Sequence, residues 1–215
     1  MIRAALLVLL AVPVRAASRK GDAEMVSDAR DLLKGLIRLN TSNPPGNEIF
    51  AANYLKERLD RGGIQSHVYT STGTRSSLIA RLKGSGAKKP LLLMCHTDVV
   101  PADAKDWETD PFEPIEKDGN LIGRGTADIK SMCAAEAAVL LRLKQDGVRL
   151  ARDVIFFAEA DEESGGSDRH IDWLLREHGE ELDAELGLNE GGNTVFENGL
   201  ITEIRLQASG KRRPQ

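Results

Sequence analysis

The apolar pattern of this chain predicts an α/β fold, on three observations. Two short runs, Leu91–Met94 and Val154–Ala158, are apolar at every position, the signature of strands covered on both faces, as in parallel sheets. Other segments repeat their apolar residues at helical spacing, and clusters of Gly and Pro separate the two kinds, giving the alternation of βαβ units. With 215 residues the chain is long enough to bury one proper core, and it contains no repeat of fixed period and no low-complexity tract.

Taken in order, residues 1–16 carry Arg3, an apolar run from Ala4 to Val14 and the small-x-small pattern Val14-Arg15-Ala16. This is a secretory signal layout too short to span a bilayer, with an uncleaved N-terminal anchor as the alternative. From Asp22 to Asn40, Met25, Ala29, Leu32, Leu33, Leu36, Ile37 and Leu39 form one apolar helix face. Pro44, Pro45 and Gly46 stop it, and Asn47 can cap a second helix that runs through Arg61 and closes at Gly62 and Gly63. Two β segments, 64–70 and 76–82, lead to the Leu91 run. Beyond Pro101, Asp118-Gly119 marks a tight turn, and Gly123 and Gly125 allow close backbone approach. An alanine-rich helix over 126–145, the Val154 strand, a helix around RHIDWLLREH and a short strand in 184–192 complete the pattern.

Composition narrows the function. The hydrophobic content of 41% and charged content of 29% are those of a soluble globular protein. A net charge of -4 without a basic face argues against a nucleic-acid partner. Cys95, in the core strand, and Cys133, in a helix, are expected to be buried free thiols, since two cysteines make no disulfide framework.

The chemistry collects at strand ends. His96 and Asp98 follow the Leu91 run, where open α/β sheets bind ligands, and side chains two apart on extended chain face one crevice. His96 reads as a metal ligand oriented by Asp98, or as a buried His with a local Asp partner. Asp128 falls in the first turn of the alanine-rich helix, a position a carboxylate also takes as a simple cap. Asp161, Glu162 and Glu163 leave the Val154 strand, and Glu190 leaves the last. Adjacent acids at one sheet edge repel unless a cation sits among them. One His with several carboxylates suits zinc, with cobalt or manganese as substitutes, and two metals sharing a carboxylate would offset the charge. Glu162, next to a ligand but aimed differently, is the candidate general base.

The ordered motifs TSNPPGNE, HTDVVP, DPF, GRGTADIKS, ADEESGG and NEGG, across residues 22 to 208, resemble the zinc-dependent exopeptidase and aminoacylase family that includes glutamate carboxypeptidase, acetylornithine deacetylase and succinyl-diaminopimelate desuccinylase. The resemblance implies a three-layer α/β/α catalytic domain and a two-zinc site that hydrolyses amide bonds in small peptides or N-acyl amino acids. It implies that His96 and Glu190 bind the first zinc, Glu163 the second and Asp128 both. Asp98 would orient His96, Glu162 would be the base, and the Asp128-Ile129 peptide bond would be cis.

The departures carry expectations too. The family's lid and dimerisation domain, its last ligand histidine and its lid histidine are not matched, and His67, His170 and His178 fit neither histidine motif. The chain is therefore expected to be a catalytic domain truncated before the lid, residues 22–208, ending in an aberrant basic tail at 209–215. One zinc would bind well and a second weakly, with little hydrolysis by the chain alone. A non-catalytic metal-binding remnant or interaction protein is the alternative. His170 and His178 are expected at the surface.

Overall fold

The computed structural model describes residues 20–164, 169–191, 193–197 and 200–205, the last two stretches as backbone only. The signal-like segment 1–16 and the basic tail 209–215 lie outside the described residues. Helix α1 spans Lys20–Ile37 and α2 spans Glu48–Arg61, where the sequence periodicity puts them. Asn47 occupies the N-cap position of α2, but its Oδ1 accepts from Thr74 Oγ1 at 3.2 Å instead of capping the helix.

The strands are β1 (Ser66–Thr72), β2 (Arg75–Leu82), β3 (Leu91–His96), the small hairpin β4 (Ile115–Lys117) and β5 (Asn120–Ile122), β6 (Val154–Glu159) and β7 (Leu186–Leu188), followed by a pair β8 (Asn193–Glu197) and β9 (Leu200–Arg205). The β4–β5 turn is Asp118-Gly119, both residues at positive φ, the primed turn such a dipeptide favours. The central sheet has the order β1-β2-β6-β3-β7. It is mixed, with β3 parallel to β6 and β7 while β2 runs antiparallel to both β1 and β6.

Alternate residues of β6 build the two cores. Val154, Phe156 and Ala158 join Leu36, Leu55, Leu59, Leu93 and Leu140 under α1, α2 and α3 (Lys130–Gln145). Ile155 and Phe157 face the other way, onto Leu174 of α4 (His170–His178). This is the expected α/β/α layering. Every residue of β6 is buried because the strand is central and covered on both faces, which explains its unbroken apolar run. Removing one such ring, as in Phe156→Ala, costs about 3–5 kcal/mol.

The expectation of free thiols is corrected. Cys95 of β3 and Cys133 of α3 form a disulfide, their Cα atoms 5.4 Å apart. The two lie 38 positions apart in sequence, and only the docking of α3 on β3 brings them together. Among the described residues no helix is long and apolar enough to cross a membrane.

Candidate metal centre

The chain beyond β3 is held from two sides. Thr97 donates from its N–H (2.9 Å) and hydroxyl (3.0 Å) to the Glu159 carbonyl at the end of β6. On the other side the 41–43 segment pairs with it, Thr41 Oγ1 donating to Thr97 O (2.6 Å), Val99 N to Thr41 O (3.2 Å) and Asn43 N to Val99 O (2.9 Å). His96 and Asp98 are thereby fixed at the carboxyl edge of the sheet with almost no exposure.

Asp98 does more than accompany His96. Its carboxylate lies 3.5 Å from His96 Nδ1, which has a nearer acceptor in the Asp98 backbone carbonyl at 3.0 Å. The shorter carboxylate bonds go elsewhere, to Asn43 Nδ2 (2.8 Å) and to the backbone N–H groups of Glu162 (3.1 Å) and Glu163 (3.0 Å). Asp98 thus ties the end of β3 to the acid turn after β6. The turn aims those N–H groups inward because Asp161 takes φ 73, a left-handed conformation tolerated by Asp, with its Oδ2 accepting from His170 N at 3.1 Å.

Asp128 and Glu190 reach the same imidazole from other directions. Asp128 Oδ1 lies 3.1 Å from His96 Nε2, Glu190 Oε1 lies 3.8 Å away and Glu162 Oε2 3.9 Å. Helix α3 begins at Lys130, so Asp128 precedes it and is not in its first turn, and the Asp128-Ile129 bond is cis, as the resemblance implies. Lys130 anchors this start. Its fully buried Nζ donates to Leu36 O (2.9 Å) and Leu39 O (2.7 Å), and burial lowers its pKa to about 7. Gly125, at φ 85, could not carry a Cβ without coming within 2.9 Å of Lys130 Cδ. The close approach read from these glycines is to protein, since a Cβ at Gly123 would meet Ile37.

Two overlapping groups have ligand atoms that all lie within 4.8 Å of one another, His96 with Asp128 and Glu190, and His96 with Glu162 and Glu163. The geometry brings every predicted residue to one imidazole. Both acids of the Glu162–Glu163 pair are within the same reach of it, so distance alone does not divide ligand from base. The electrostatics suit a cation. Burial raises the carboxyl pKa of Glu163 and Glu190, and of Glu159, which reaches about 7 with Asp98 adding to the effect. Burial opposes charge on His96 too, but Asp98 and Glu190 outweigh it and lift the imidazole to about 9. One imidazole nitrogen and several carboxylates converging where negative charge is underneutralised fit a divalent metal of borderline hardness.

One histidine expectation is corrected. His170 is buried, its Nδ1 2.8 Å from Ser71 Oγ and its ring against Trp173. His178 stays partly exposed, as expected, with its ring against Tyr69 and Trp173. Both belong to the α4–β1 contact, because α4 lays its polar-looking face on the sheet beside Tyr69. Sequence reasoning gave Asn43 no role, although it lies within the motif TSNPPGNE, between a helix and two prolines.

The family described as Peptidase family M20/M25/M40 matches residues 92–207. Aminoacylase-1 of Dictyostelium discoideum is 32% identical over 163 residues, covering 74% of this chain and 40% of that protein. A probable succinyl-diaminopimelate desuccinylase of Staphylococcus epidermidis is 36% identical over 135 residues, covering 62% of this chain and 32% of that protein. The chain thus spans well under half the length of these curated relatives. Among solved structures, the M20 family metallo-carboxypeptidase Sso-CP2 from Sulfolobus solfataricus superposes with a TM-score of 0.65 at 27% identity, over 76% of this chain and 37% of that one. Human carnosine dipeptidase 1 shares the fold, with a TM-score of 0.64 at 20% identity, over 78% of this chain and 39% of that one.

Proposed function

The chain belongs to Peptidase family M20/M25/M40, and from that premise we propose that it binds zinc and serves hydrolysis of an amide bond in a small peptide or an N-acyl amino acid. The observation that carries this reading is the convergence of Asp128, Glu162, Glu163 and Glu190 on the single imidazole of His96. The names of the aminoacylase and desuccinylase relatives support the N-acyl substrate, and that of the carboxypeptidase neighbour supports the peptide.

In this reading His96 and Glu190 would hold one zinc, Glu163 would hold a second and Asp128 would contribute to both. A bound ion supplies polarisation of the scissile carbonyl and a more acidic water. Asp98 keeps the His96 ring turned so that Nε2 faces the acids. Glu162 accepts the proton of the attacking water on its carboxylate and returns it to the leaving amine. Residues 1–16 are read as an export signal, and the Cys95–Cys133 disulfide supports an oxidising compartment.

The test is zinc titration against a chromophoric chelator, with hydrolysis of N-acetyl amino acids and dipeptides followed in parallel. At least one tightly held zinc is expected. Glu162→Gln should keep it while any turnover falls roughly 10²–10⁴-fold, whereas Glu163→Gln should keep the tight zinc and weaken a second, looser one. A chain that binds no zinc, or equal weakening of the looser zinc in both variants, sinks the reading. Zinc without turnover favours the metal-binding remnant.

A further inference from the structure

Behind Asp98 lies a buried polar network that the proposed chemistry does not use. The Asn43 side chain is at its centre. Its Nδ2 donates to Asp98 Oδ2 (2.8 Å) and to Asp161 Oδ1 (3.0 Å), and its Oδ1 accepts from Arg75 Nη2 (3.1 Å). Both amide protons and one carbonyl lone pair are therefore engaged. The orientation of the amide is dictated, because the flipped form would set its oxygen against two carboxylates and its NH2 against a guanidinium. Arg75 Nη1 in turn pairs with Glu48 Oε1 (2.7 Å) and Asp161 Oδ1 (2.9 Å), and Nη2 also donates to Pro45 O (3.1 Å). Glu48 has no exposure at all, and Gly46, at φ 84, leaves the room, since a Cβ there would lie 2.8 Å from Arg75 Nη1.

Such a network is hard to explain as a stabilising device, because buried ion pairs are often matched or bettered by apolar residues of the same size. Its geometry has a different logic. Every bond of the Asn43 amide ends on a residue that shapes the metal centre or on the arginine that orients it. Asp98 fixes His96 and the Glu162 and Glu163 N–H groups, and Asp161 sets the turn that carries those acids. We infer that Asn43, oriented by Arg75, is a positioning residue that places Asp98 and so sets the metal affinity of His96 and the acid turn. The inference rests on the metal-binding reading above.

The experiment is a double-mutant cycle on the full chain, with zinc affinity read by chelator competition and folding checked by thermal unfolding in EDTA. Asn43→Asp, which keeps shape but replaces both donors with charge, should weaken zinc roughly 10–100-fold. In an Asp98→Ala background the same change should weaken it no further, since Asn43 acts through Asp98. Should Asn43→Asp fail to fold, Arg75→Lys decides, since it keeps the charge but not the fork. Weakened zinc that Asp98→Ala makes insensitive supports the inference, and parent-like affinity overturns it. Zinc loss that simply adds to that of Asp98→Ala also overturns it, leaving a general structural role. If the parent chain binds no zinc, it is the metal-binding reading that fails, not the placement of Asp98 by Asn43.

Discussion

The two sides of the candidate centre are built differently. On one side His96, Asp98 and the Glu162–Glu163 turn are tied to each other and to the 41–43 segment by hydrogen bonds that need no ligand. On the other, the Asp128 side chain is 65% exposed and Glu190 32% exposed, and the contacts that aim them at the site run to His96. The fold organises the first side by itself. The second gives up mutual repulsion only when a cation enters. The difference teaches that substitutions on the first side should register in the stability of the metal-free protein, and those on the second only in metal affinity.

The largest expected effect concerns the link between the two. The disulfide joins β3, one residue before His96, to α3, five residues after Asp128, and closes a loop of sequence separation 38. Loop-closure entropy for that length corresponds to about 4 kcal/mol. Cys95→Ala with Cys133→Ala should lower unfolding free energy in EDTA by an amount of that order, and zinc affinity should fall because Asp128 is no longer tethered to β3. Unchanged stability in urea titrations of oxidised and doubly substituted protein would mean that the two sides are coupled by packing alone.

Next comes the contrast between the sides. Asp98→Ala leaves the N–H groups of Glu162 and Glu163 and one of the two Asn43 amide protons without an acceptor, and unsatisfied buried donors cost about 1–3 kcal/mol each. We expect a loss near 3 kcal/mol before any metal is added. Asp128→Ala, at an exposed position, should stay within about 0.5 kcal/mol of the parent while reducing zinc binding. Equal destabilisation of the metal-free chain by both substitutions would erase the comparison.

The acids and the imidazole that face the site, on both sides, were more legible in sequence than the network behind them. His96, Glu162 and Glu163 announce themselves because each follows a buried strand, Asp128 because it follows a glycine turn, and Glu190 because it ends a short strand before two glycines. The apolar runs of β3 and β6 and the Asp118-Gly119 turn were readable because there local pattern and local structure agree. Asn43, Arg75 and Glu48 were not. In sequence they look like loop and surface residues, and only the packing of β2 against the 41–48 segment turns them inward. The disulfide and the burial of His170 were hidden likewise, since both depend on which helix covers which face.

The smallest effect is a dependence on pH, and its sign follows from the first side. Burial disfavours charge on both His96 and Asp98, yet each sustains the other's ionised form, so the imidazole rises to about 9 and the carboxyl is held below its ordinary range, helped by Asn43 and the Glu163 N–H. His96 therefore stabilises the metal-free fold fully below the ordinary histidine range and loses that contribution as pH rises through about 9. Asp98 stabilises it above the ordinary carboxylate range and loses that contribution in acid. A metal needs the neutral ring, so it must displace the His96 proton. Apparent zinc affinity should then rise roughly tenfold per pH unit from neutrality towards 9 and level off beyond, with one proton released. Towards acid the slope should steepen, because burial has also raised Glu163 and Glu190 and these must lose protons as well. Calorimetric titration in two buffers of different ionisation enthalpy counts the protons directly. A zinc affinity that is flat from pH 6 to 9 would show that His96 is already neutral in the metal-free chain, and that Asp98 is spent on the Glu162–Glu163 turn and not on the imidazole.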